Sequence, residues 1–91
     1  MLKIHELKTW PKYFHEVKSG VKKFEIRKFD RDFRVGDELI LREFVPENYY
    51  EDQTEKEYFT GNICHRRIDY LLSDSKFGIQ EGYVVLGISP V

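Results

Sequence analysis

The sequence predicts an α+β fold: a small, curled, mainly antiparallel sheet with one main helix between its first two strands. Several short segments alternate apolar and polar residues, the mark of half-buried strands, while only one segment carries helical spacing. The 91 residues form one domain over positions 1–91. A chain of this size buries only about 60–65% of its unfolded surface. Seven Phe and six Tyr supply the large apolar side chains that so small a core requires.

Taken in order, the first strand is expected near Leu2–Leu7, followed by a helix over about Trp10–Ser19. Trp10, Tyr13, Phe14 and Val17 recur at the spacing of one helical face, and Pro11 sits near the start, where a missing N–H costs little. That face predicts Trp10 in the core and Tyr13, Phe14 and Val17 against the sheet, with Lys12, Glu16 and Lys18 exposed. Gly20 provides the stop, since it takes the left-handed conformation without steric penalty. Further strands are expected near Lys23–Lys28, Asp37–Phe44, Phe59–Leu72 and Tyr83–Ile88. Asp30, Asp32 and Gly36 mark one turn-rich connection; Asp74, Ser75 and Gly78 mark another turn. The stretch Val45–Glu57, with Pro46 and Asn48, is a long connection of the kind that usually carries function or motion.

Net charge is -1, which argues against a protein that coats nucleic acid by bulk electrostatics. The charge is unevenly distributed. Seven basic residues against three acids lie between Lys18 and Arg34, and five acids against Lys56 alone lie between Glu47 and Glu57. A local basic patch for a short polyanion is compatible with that distribution, as is a pair of solvated faces. The apolar runs fall far short of a membrane span and Met1–Lys8 is charged, so a soluble, cytoplasmic protein with no membrane partner is expected. A lone Cys64 fits a reducing compartment. His5, His15, Cys64 and His65 lack metal-ligand spacing, and adjacent Cys64 and His65 point to opposite faces of a strand; no metal and no cofactor are expected. His65, Arg66 and Arg67 form a second small basic cluster.

The most informative run is Gly20-Val21-Lys22-Lys23-Phe24-Glu25-Ile26-Arg27. Glu25 and Arg27, two apart on a strand, share a face and are close enough for a charge-assisted hydrogen bond. Lys22 reaches that face only from the loop after Gly20, its stem curling back, or across a bulge; Lys23 is the alternative cation. The pattern Gly-x-Lys-x-x-Glu-x-Arg resembles the signature of the ASCH superfamily. The resemblance extends to Phe33–Leu41 and to Gly82–Ile88, and is nearest to short bacterial and phage proteins of that type.

That resemblance implies a PUA-like β-barrel and an RNA or nucleotide-like ligand held by Lys22, Lys23, Glu25 and Arg27. On this reading the cations contact phosphate while aromatic rings, with Trp10, Tyr49, Tyr50 and Tyr58 as candidates, stack on unpaired bases. The alternative implied by some ASCH-like proteins is a small amidohydrolase acting on a modified nucleoside such as N4-acetylcytidine, with Lys22 and Glu25 catalytic. Those proteins place a hydroxyl residue where this chain has Glu25, which weighs against hydrolysis. The bland alternative is an internal ion-pair cluster that fixes the helix–strand junction. The sequence leaves oligomeric state open.

Overall fold

A computed structural model describes residues 2–46 and 58–91. Alternation places β1 at Ile4–Thr9, with His5, Leu7 and Thr9 inward and Ile4, Glu6 and Lys8 outward. Helix α1, Pro11–Lys18, follows at once. Pro11 fixes Trp10 in an extended conformation as the N-cap, so Trp10 lies outside the helical repeat and the spacing rule does not apply to it. The consequence corrects the sequence reading: Phe14 and Val17 are buried, whereas Trp10 is 57% exposed and Tyr13 39% exposed. Gly20 (φ 87°) donates to the Val17 carbonyl, and Lys22 N–H returns to the Glu16 carbonyl at 2.9 Å, closing the turn out of α1.

The remaining strands are β2 (Phe24–Lys28), β3 (Glu38–Phe44), β4 (Phe59–Leu72) and β5 (Tyr83–Pro90), with a short 3-10 turn at Ser75–Phe77. One five-stranded sheet has the order β1-β3-β4-β5-β2. Three of its pairings are antiparallel, and β1 with β3 is parallel, so the sheet is mixed. β4 is the spine: residues up to Arg67 pair with β3 and residues from Arg66 onward pair with β5. Register shifts between Arg42 and Phe44, and between Ile68 and Tyr70, add the local twist that curls the sheet. The absent side chain of Gly87 accommodates the second irregularity, since a Cβ there would lie 3.2 Å from Tyr70 Cβ.

The curl is strong but incomplete. β1 and β2 are the two sheet edges, with no ladder between them, so the expected barrel is a half-barrel with an open seam. Two arginine side chains, one on β2 and one just after it, reach across to β1: Arg27 Nη1 donates to the Lys8 carbonyl (3.0 Å) and Arg31 Nη1 to the Glu6 carbonyl (3.3 Å). These satisfy edge carbonyls of β1 that no strand covers.

The core lies inside the curl, where Phe14 and Val17 of α1 meet Leu39, Leu41, Ile68, Val84 and Leu86, with the free thiol of Cys64 at its margin. Buried carboxylates mark two further places. Asp37 accepts from the Lys3 and Arg34 backbone N–H groups (both 3.1 Å) and pairs with His5 Nε2 at 2.8 Å. Burial pushes its carboxyl up, but the His5 bond and the two N–H groups outweigh this and hold it below the ordinary carboxylate value. Glu43 takes Thr60 Oγ1 (2.8 Å), Asn62 Nδ2 (3.0 Å) and His15 Nε2 (2.9 Å). The Asn62 bond foremost, then the Thr60 and His15 contacts, lower its pKa against the opposing effect of burial.

Candidate functional site

β2 is inverted relative to simple hydrophobic patterning. Phe24 and Ile26 are exposed, at 43% and 57%, while Glu25 between them is 3% exposed. A buried carboxylate on an edge strand needs donors, and the local sequence supplies them. Arg27 on the same face gives Nε (3.2 Å) and Nη2 (2.7 Å) to Glu25 Oε1. Lys22, in the loop after Gly20, curls back so that its Nζ bonds Glu25 Oε2. Of the two routes open to Lys22, the loop is the one adopted, since Lys22 precedes β2.

These three side chains converge on an open cleft of about 480 Å³ at the seam. One wall is the end of β1 and the start of α1, from Lys8 to Trp10 with Tyr13; the other is Lys22 together with Phe24 through Arg27. Trp10 and Tyr13 lie face to face at an interplanar angle of 27° and 6.4 Å between centroids. The Lys22 ammonium sits 5.3 Å from the Tyr13 ring centre and 5.0 Å from that of Phe24, within cation–π range of both. Arg27 Nη2 also donates to Thr9 Oγ1 at 3.1 Å, tying the triad to β1. The triad carries two cations and one anion, so its net charge is positive.

Of the residues expected at the site, Lys22, Glu25 and Arg27 are brought together, whereas Lys23 is exposed outside the cleft lining and contributes its carbonyl to Ile88 N–H. Tyr58 is buried and offers no stacking face; Tyr49 and Tyr50 lie outside the described residues. Much of the basic run is paired locally, Arg31 with Asp30 and Arg34 with Asp32. The second basic cluster is likewise occupied: His65 pairs with Glu38, and Arg66 bonds the Val17 carbonyl. Among the described residues no group of three or more His, Cys, Asp or Glu is arranged to hold a metal ion, and no helix is long and apolar enough to cross a membrane. Sequence reasoning missed Thr9 and Tyr13 as cleft residues. The available signal was the Trp10-Pro11 pair, which places the tryptophan ahead of the helix and opens the space beside both.

Comparison with known proteins decides the family. A family model described as a domain of unknown function, DUF3850, matches residues 4–88, nearly the whole fold. The chain belongs to the DUF3850 family. A relative, an uncharacterized 12.9 kDa protein encoded in the 3′ region of GpA in Escherichia phage P2, is 53% identical over 86 residues. The match covers 94% of this chain and 68% of that protein. Membership in DUF3850 corrects the ASCH assignment, and with it the expectations of a PUA-like and RNA-binding domain that the assignment carried. The reason is physical as well as statistical. Strand geometry alone puts Glu25 and Arg27 on one face, so a match of four positions in eight does not single out one superfamily.

Proposed function

We propose that this DUF3850 protein is a binding module whose seam cleft holds a nucleotide-containing ligand. The observation that supports this most is the convergence of a net-positive ion triad, built on the buried Glu25, with three exposed aromatic rings on one open cleft. Flat rings recognise bases through their faces, and a net-positive cluster recognises oxygen-bearing groups. A purely structural cluster at the helix–strand junction needs neither the cleft nor the exposed Trp10. The cleft volume lies within the range of small-molecule sites and suits a single nucleotide unit.

The hydrolase alternative asks more of Lys22 than its surroundings support. A nucleophilic amine needs an available lone pair, and this ammonium is tied to Glu25 and flanked by two rings. Binding is therefore the better-supported activity. Isothermal titration calorimetry with the nucleoside monophosphates AMP, GMP, CMP and UMP tests it: heat of binding is expected for at least one, lost on Glu25→Ala in protein that remains folded. Absence of heat with all of them would overturn the proposal.

A further inference from the structure

The donors of the triad are not equally available. Arg27 directs Nε and one Nη2 hydrogen at Glu25, the other Nη2 hydrogen at Thr9 Oγ1 and one Nη1 hydrogen at the Lys8 carbonyl, which commits four of its five N–H donors. Its fork is therefore spent on closing the seam, with no parallel pair of N–H groups left for a phosphate. Lys22 is different. One of its three N–H donors goes to Glu25, the rings of Tyr13 and Phe24 cover two sides, and the side chain is 16% exposed. What remains is a charged donor in the lining of a cleft that also carries the exposed Trp10.

Lys22, with one donor committed to Glu25 and two rings beside it, offers a phosphate a single point charge, and Arg27 adds no parallel fork to it. A carbonyl oxygen on a flat ring needs one donor and brings its own stacking face. We infer that the cleft reads the carbonyl edge of an oxo-substituted heteroaromatic ring: the ring stacks on Trp10, itself backed by Tyr13, Lys22 donates to the ring carbonyl, and any phosphate stays outside. Arg27 and Glu25 act as positioning residues, Glu25 aiming the ammonium and Arg27 holding the two walls together. This rests on the nucleotide-binding proposal and specifies which part of the ligand is recognised.

Trp10 is the only tryptophan in the chain, so its fluorescence reports directly on the cleft. The experiment titrates the full chain with uridine, UMP and adenosine, whose ring carries an amine and no carbonyl, at about 50 mM and about 500 mM salt. Uridine and UMP are expected to quench Trp10 with affinities within about threefold of each other, nearly independent of salt. Adenosine is expected to bind roughly tenfold more weakly, the worth of one hydrogen bond to a charged group. Lys22→Met, which keeps the apolar stem, is expected to abolish the discrimination between uridine and adenosine, a readout that a merely structural role would not move. Adenosine binding as tightly as uridine overturns the inference. Binding of UMP without uridine, with a steep loss in salt, also overturns it while leaving the nucleotide-binding proposal standing. No quenching by any of the three, with no heat from any nucleoside monophosphate, overturns both. The wild-type series is decisive by itself should Lys22→Met fail to fold.

Discussion

Glu25 and Asp37 are both buried carboxylates, 3% and 1% exposed, yet they are built for different ends. The partners of Asp37 are two backbone N–H groups and an imidazole that is itself buried, so every group in that network belongs to the scaffold. Glu25 is held by two flexible cationic side chains that line an open cleft. A carboxylate satisfied by backbone fixes a turn; one satisfied by cationic side chains arranges charge along a cleft. Burial alone does not separate the two cases. The identity of the donors does.

Removing each carboxylate in turn is expected to have the largest effect. Asp37→Ala strands two N–H groups and the His5 ring in the interior, and is expected to cost about 3–5 kcal/mol in chemical denaturation. Glu25→Ala leaves Lys22 free to swing into water and Arg27 still bonded to β1, so its cost is expected at only about 1–2 kcal/mol while nucleotide binding is lost. Equal destabilisation by the two substitutions would show that the triad is scaffold after all.

Acid titration gives a smaller effect with a definite sign. Asp37 and Glu43 have pKa values lowered by folding, so their contribution is complete above the unfolded carboxylate values near about 4 and is lost as pH falls through the lower folded values. Stability of the wild type is therefore expected to be insensitive to these groups near neutrality and to decline below about pH 4. Glu43→Gln should make that decline shallower in pH-dependent unfolding; an unchanged acid limb would remove Glu43 from the account.

The smallest effect is expected at Lys23. It lies outside the cleft, so Lys23→Ala should change stability by less than about 0.5 kcal/mol and leave calorimetric binding unaltered. A loss of binding comparable to that of Glu25→Ala would place the second lysine in the site and enlarge it beyond the seam. Acetate release from N4-acetylcytidine is expected to be nil, and Lys22-dependent release would turn the binding cleft into an active site.

By itself the sequence determined the element order, since period-two runs and one helical stripe are local signals. β4 spans Phe59–Leu72, the range expected, and the other elements begin or end within two residues of the expected bounds. It also determined that Glu25 and Arg27 share a face, because strand geometry fixes that, while it left Lys22 to arrive either from the loop or across a bulge. Tertiary structure decided the rest. The parallel β1–β3 pairing and the open seam depend on contacts between residues far apart in sequence, which periodicity does not encode. Which face of β2 is buried was settled by the seam: at the side of β2 that meets no partner strand, the inward position goes to the carboxylate that two cations satisfy, one of them anchored to β1, and Phe24 and Ile26 are left to the surface.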